Sequence, residues 1–186
     1  MMQERDHLYE RTIRSEQIYD GKIIKVKVDE VLLPNGKTGK REIVHHQGAV
    51  AVLPLTDEGK LVVVRQFRKP LERTIVELPA GKLEPGEDPL ACAKRELAEE
   101  TGYQAEQFTH LSSFYTSPGF ADELLHLYVA TGLRPGAVRP DEDEFVEVLA
   151  LSLPEAKALH ERGEICDAKT VLALFAWENR VLKERG

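Results

Sequence analysis

Between Gly81 and Tyr103 the chain reads GKLEPGEDPLACAKRELAEETGY, a stretch that constrains the fold to a tight loop followed by one helix. Asp88 is a strong N-cap, and Pro89 suits the first helical position, where its missing N–H costs nothing. Gly102 supplies the residue that can take φ > 0 after the last turn, so the spacing predicts a helix over 89–101. Leu90, Ala93, Leu97, Ala98 and Thr101 recur at helical period and form its expected core face. Glu96, Glu99 and Glu100 fall together on another face, within a sector of about 100°. Like charges that close repel and weaken a helix. Two explanations fit such a cluster. One is a solvated acidic face with Arg95 paired to Glu99 one turn on. The other is a site for a hard, oxygen-seeking cation such as Mg²⁺, which takes few carboxylates and shares the rest of its shell with waters and a substrate phosphate.

The charge balance narrows what such a site would serve. The 186 residues carry a net charge of −7, which argues against a partner bound through a nucleic-acid backbone. It suits a small anionic substrate if local Arg, Lys or metal charge offsets the acid. No apolar run approaches a membrane span, and the opening MMQERDHLYE is no signal peptide, so a cytoplasmic location is expected. Cys92 and Cys166 have no metal spacing and are read as reduced thiols, Cys92 as a small helix-packing residue.

Two regions are expected, residues 1–46 and 47–186. In the first, Arg11–Tyr19, Ile23–Leu33 and Arg41–His45 read as an antiparallel meander with turns at Asp20-Gly21 and Pro34-Asn35-Gly36. A sheet this thin needs cover for its apolar face, from its own domain or from a second subunit. In the second region, Ala49–Leu55 and Leu61–Phe67 are nearly continuous apolar runs, expected to pair as a central hairpin across Asp57–Lys60. Arg68 at the exit is a candidate phosphate clamp, because a guanidinium matches phosphate oxygens; Arg65 reads equally well as a surface arginine. The strand Ile75–Leu78 leads through Pro79 into the loop, where a carbonyl near Ala80 offers a neutral oxygen to a metal. Phe108–Tyr115, Leu124–Ala130 and Phe145–Leu151 are further strands. The run Arg139–Glu144, RPDEDE, is either a solvated turn or the source of a base for an attacking water. Ser152 and Glu155 form a capping-box pattern, and Asp167 caps a longer helix with Val171, Leu172, Leu174, Phe175 and Val181 as its apolar stripe.

Gly81, Glu87, Arg95-Glu96-Leu97, Glu99-Glu100 and Gly102-Tyr103 resemble the Nudix box, with every specified position filled. The resemblance implies a Mg²⁺-dependent hydrolase, with Mn²⁺ or Zn²⁺ as substitutes, acting on a nucleoside diphosphate linked to another moiety. It implies an α/β fold, a Nudix-type α/β/α sandwich with a mixed sheet, here with an N-terminal antiparallel β-sheet added. By the same resemblance Glu96, Glu99 and Glu100 are metal ligands and Arg95 orients them. Glu87 braces the loop, and Gly81 lets the backbone turn under the site.

Pro118 stands 16 residues after Gly102, in SPGFADE, and together with LPAGKLEPGE and RQFRKP it is similar to the ADP-ribose pyrophosphatase subfamily. The likeness runs from about Ile13 to Trp177. It implies release of AMP and ribose 5-phosphate, and a homodimer with exchanged N-terminal strands that places adenine between the subunits. Arg41 and Glu42 then match the pair at the base or its ribose, Tyr19 a stacking residue and Arg68 the phosphate-binding arginine. Within RPDEDE the catalytic glutamate is Glu142 or Glu144. The alternatives are hydrolysis of other nucleoside diphosphate conjugates, and a sensor that binds ADP-ribose without cleaving it. Such a sensor would have lost box carboxylates, and none is lost.

Overall fold

In the computed structural model, residues 6–136 and 145–184 are described. By their internal contacts they fall into two compact units, one of residues 1–48 with 115–124 and one of residues 49–114 with 125–186.

The first unit is built on strands β1 (Arg11–Asp20), β2 (Ile24–Leu32) and β3 (Thr38–His46), antiparallel throughout and in that spatial order. The β2–β3 turn is set by Gly36 at φ 80° and by Asn35 Oδ1, which accepts from Lys37 N–H at 3.0 Å. Every residue of β1 is exposed, whereas Val31 and Asp29 of β2 are buried. Asp29 keeps its charge there because Ser15 Oγ donates to it at 2.6 Å and Lys27 lies 3.1 Å away; the Ser15 bond is the chief reason its pKa is lowered. The segment around Pro118 lies along β3: Val44 N–H donates to the Phe120 carbonyl at 2.8 Å, and Val44 bridges Ala121 in parallel.

The second unit holds the remaining strands: β4 (Ala49–Pro54), β5 (Leu61–Arg68), β6 (Arg73–Glu77), β7 (Ala80–Lys82), β8 (Tyr103–Tyr115), β9 (Leu124–Pro135) and β10 (Glu147–Leu151). Its helices are α1 (Pro89–Thr101), α2 (Leu153–Glu161) and α3 (Ala168–Glu184). The strands make a mixed sheet in the order β7-β4-β9-β8, with β4 parallel to β9 and antiparallel to β7, and a sheet in the order β10-β5-β6.

The expected central hairpin does not form. β4 and β5 enter different sheets and share only the isolated bridge between Leu55 and Leu61. The reason lies in burial on both faces. Ala51 and Leu53 of β4 meet Leu61 and Val63 of β5 in one core with Leu127 and Trp177, while Val50 and Val52 face Cys92, Ala93 and Leu97 of α1. Each large apolar side chain so buried contributes on the order of 2 kcal/mol, so facing two layers outweighs one hairpin ladder.

The α3 stripe also differs from expectation. Leu172 and Phe175 are exposed, and the buried face carries Thr170, Ala173, Leu174 and Trp177. Spacings of three and four from Thr170 select those residues, and the threonine hydroxyl is satisfied there by the Leu78 N–H at 3.0 Å. β8 begins at Tyr103, earlier than the predicted Phe108, because Gly102 turns the chain straight from helix to strand. Among the described residues, no helix is long and apolar enough to cross a membrane.

Candidate active site

The helix α1 starts and stops where its sequence dictates. Asp88 Oδ1 accepts from Ala91 N–H at 3.0 Å, Pro89 opens the first turn, and Gly102 closes the helix at φ 71° with its N–H on the Ala98 carbonyl. Its buried face differs from the purely apolar one expected. Leu90 and Ala98 are half-buried, while Glu96 and Glu100, one turn apart, are buried beside Leu97. Two carboxylates on a core-facing side are costly unless something receives them.

Arg95 receives Glu96 together with two carboxylates beside it. Its Nε and Nη2 donate to the two oxygens of Glu87 at 3.1 and 3.0 Å, a forked pair. Its Nη1 donates to Glu96 Oε1 at 2.7 Å and to Glu99 Oε2 at 3.0 Å. Glu87 also accepts the Glu84 N–H at 3.0 Å, which ties the loop before the helix to Arg95. The Arg95 bond, then that backbone N–H, hold the Glu87 carboxyl at a pKa of about 2. The Glu87 bond in turn raises the pKa of Arg95. Cys92, buried against the same group with its Sγ 3.2 Å from Arg95 Nη2, is pushed up to about 12 by burial and is an inert packing thiol.

Gly81 serves a different need from the one predicted. It lies in strand β7, and a Cβ there would stand 1.9 Å from the Glu96 carboxyl carbon. The residue is needed for room: the carboxylate of Glu96 occupies the space a side chain would fill. Ala80 contributes its N–H, which donates to Glu100 Oε2 at 3.0 Å. Glu96 and Glu100 thus lie against β7, and Glu99 is tied to Glu96 through Arg95 Nη1. Among the described residues no three acidic, histidine or thiol groups already converge on one point, since Arg95 Nη1 stands between Glu96 and Glu99. The donor chemistry fits a hard divalent cation: carboxylate oxygens, two of them on buried side chains, beside a cradle that only glycine leaves open.

Arg68, at the end of β5, donates its Nε to Glu77 Oε1 at 2.6 Å. Glu77 is 1% exposed and also accepts from Lys169 Nζ, which donates to Asp167 Oδ1 at 2.8 Å. Burial opposes the charge on Arg68, but the Glu77 bond outweighs it, with Glu100 and Asp167 adding, and its pKa is raised. Glu77 and Lys169 were missed by sequence reasoning, and Asp167 was read only as the cap of α3, which it is through the Thr170 N–H. A glutamate inside the apolar run Ile75-Val76-Glu77-Leu78 was the available signal, because an unpaired buried charge is not tolerated. Arg65, by contrast, is an exposed residue 3.9 Å from Glu147.

The remaining predicted residues belong to the first unit or lie outside the described residues. Arg41 is held by Glu10, which accepts from Nε at 2.8 Å and from Nη2 at 2.5 Å. Glu42 is exposed on β3, and the exposed ring of Tyr19 lies over Gly21, where a Cβ would meet it at 2.4 Å. Pro118 is exposed in a turn whose Ser117 carbonyl accepts from Phe120 and Ala121. Asp122 fixes that turn through His45 Nδ1 at 2.6 Å and His46 N–H at 2.8 Å. Glu142 and Glu144 lie outside the described residues.

Residues 44–174 match the model of the Nudix domain. The chain belongs to the Nudix family. Residues 10–44 of this Nudix chain match a model described as the nucleoside diphosphate sugar hydrolase N-terminal domain. It is 58% identical over 169 residues to the ADP-ribose pyrophosphatase of Bacillus subtilis (strain 168), covering 90% of this chain and 91% of that protein. It is equally 58% identical over 167 residues to the methanol dehydrogenase activator of Bacillus methanolicus, covering 89% and 90%. Identity to the GDP-mannose pyrophosphatase of Citrobacter koseri is 37% over 145 residues, 73% of this chain and 75% of that one. A solved structure described as an ADP compounds hydrolase superposes with a TM-score of 0.82 at 25% identity, covering 95% of this chain and 96% of the other. Within the family the chain stands with the ADP-ribose pyrophosphatases, which generally use a divalent cation.

Proposed function

We propose that this Nudix hydrolase cleaves the pyrophosphate of ADP-ribose with Mg²⁺, releasing AMP and ribose 5-phosphate. The observation that carries this is the complete box assembled in one place: Glu87, Glu96 and Glu99 on Arg95, and Glu100 on the Ala80 N–H. A binding-only sensor has no use for that full carboxylate set. The 58% identity to an ADP-ribose pyrophosphatase supports the substrate.

When bound at Glu96, Glu99, Glu100 and the Ala80 carbonyl, Mg²⁺, or Mn²⁺ or Zn²⁺ in its place, offsets phosphate charge and lowers the pKa of the attacking water. The chain's own residues do the rest. Arg95 keeps Glu96 and Glu99 from splaying apart and Glu87 keeps Arg95 in place. Arg68 meets the diphosphate with the part of its guanidinium that Glu77 leaves open. Glu142 or Glu144 accepts the proton of the water. Arg41 exchanges Glu10 for the base or ribose, Glu42 stands beside it, and Tyr19 stacks.

The N-terminal sheet supports a homodimer with exchanged strands. Ile13, Ile18 and Tyr19 are 47, 57 and 56% exposed on β1, and a second copy would bury them. A cytoplasmic, reducing setting belongs to the same proposal and agrees with two free thiols.

A second possibility is a broader hydrolase of nucleoside diphosphate conjugates, favoured by the likeness to GDP-mannose pyrophosphatase. Nucleotide release from ADP-ribose, ADP-sugars, GDP-mannose and dinucleoside polyphosphates, measured side by side, separates the two. Clear preference for ADP-ribose is expected. Equal rates across the panel would replace the narrow assignment with the broad one.

A further inference from the structure

We propose that Glu77 and Lys169 are positioning residues that aim Arg68 at a diphosphate, acting on substrate only through that arginine. This rests on the hydrolase function proposed above. Glu77 ends β6 as a carboxylate with 1% exposure, within an otherwise apolar run. Burying a lone carboxylate costs several kcal/mol, so its two partners are what allow it to stay charged. They divide its oxygens: Arg68 Nε takes Oε1 at 2.6 Å, and Lys169 Nζ takes Oε2.

That division decides what Arg68 has left. Elsewhere in the molecule a purely bracing arginine uses its fork: Arg95 gives Glu87 both Nε and Nη2. Arg68 gives Glu77 only Nε, on Oε1, while Lys169 donates to Oε2. The Nη atoms take no part in the Glu77 bond, and the side chain is 40% exposed. A guanidinium anchored at Nε, with both Nη groups outside that bond, suits two phosphate oxygens.

The charges are matched to the same end. Lys169 and Arg68 bring two positive charges, and Glu77 and Asp167 bring two negative ones. Removing Lys169 would leave the group one charge negative and take the donor from Glu77 Oε2, which would draw the Arg68 fork onto both oxygens. The same Oδ1 of Asp167 also accepts from the Thr170 N–H at 3.2 Å, at the start of α3, so the partner of Lys169 is itself held. Strand register adds direction. Val64 lies opposite Glu77 and Arg68 opposite Arg73, so the two side chains reach along the sheet to meet, on the strand that continues through Pro79 to Ala80.

The test is a double-mutant cycle read by calorimetric binding of ADP, a diphosphate probe that needs no turnover. Glu77→Gln and Lys169→Met should each weaken ADP binding by about tenfold, the size of a hydrogen bond to a charged group. In an Arg68→Ala background the same changes should cost about twofold or less, since residues acting through one another are not additive. Lys169→Arg should restore most of the loss. Thermal melting reports folding, and the near-isosteric Glu77→Gln carries the cycle should Lys169→Met fail to fold. Equal losses in both backgrounds would reduce the network to a structural ion pair and overturn the proposal, as would unaltered binding in Glu77→Gln. AMP release by the wild type is scored separately: its absence would sink the hydrolase assignment, while a coupled cycle would still stand.

Discussion

Two arginines serve this site in opposite ways. Arg95 spends every donor group on the protein: Glu87, Glu96, Glu99 and the Lys82 carbonyl. It holds a carboxylate cluster together. Arg68 is the one that is held, tied at Nε by Glu77 with Lys169 behind it. The residue type is the same, and the number of carboxylates facing it sets the role. An arginine saturated by acids organises the site, while one anchored at a single nitrogen remains able to bind.

Substitution should separate the two arginines. Removing Arg95 leaves three carboxylates in close quarters. Arg95→Ala should lower unfolding stability by about 2 kcal/mol in urea titration, less than a fully buried pair because Arg95 is 32% exposed. Arg68→Ala should reverse the pattern: kcat/KM falls by about tenfold or more, with stability changed less than by Arg95→Ala. Equal stability losses in the two variants would erase the distinction between holding and being held.

Gly81→Ala tests the room that the Glu96 carboxylate needs. A Cβ at 1.9 Å must push the carboxylate off its bond with Arg95, so kcat should fall by about tenfold while the strand persists. Unchanged kcat would mean that Glu96 has no fixed place.

The smallest effect concerns pH. Glu87 has its pKa lowered from 4.5 to about 2, so its stabilisation is fully present above pH 4.5 and is lost as pH falls toward 2. Denaturation titrations should therefore show stability dropping across that window in the wild type and less steeply in Glu87→Gln. Parallel slopes would show that the Glu87–Arg95 fork carries no pH-linked stability.

How much of this could be read in advance follows the same division. The Arg95 cluster lies within one short stretch, where capping residues, helical period and box spacing act locally. Asp88, Gly102 and Arg95 are found where the sequence pattern puts them. The Arg68 network was not visible, because Lys169 stands 92 residues from Glu77 and no local pattern joins them. The same limit explains the missing β4–β5 hairpin. Two all-apolar strands beside a tight turn look paired, and only the presence of layers on both sides shows why they part. Arg41 was expected to face a ligand, and its bond to Glu10 comes from a segment that carries no pattern in sequence. Gly81 was read as a turn residue, and the space a Cβ would need there is taken by a side chain from another element.

The assembled box is proposed to hydrolyse ADP-ribose. The most direct test is AMP release from ADP-ribose with Mg²⁺, comparing the wild type with Glu100→Gln. Glu100 is 2% exposed and held by the Ala80 N–H, so the amide keeps the shape and removes the charge. AMP and ribose 5-phosphate should appear in equal amounts, stop on chelation, and fall by about a hundredfold or more in the variant. Turnover in Glu100→Gln near that of the wild type, with both proteins folded, would contradict the account.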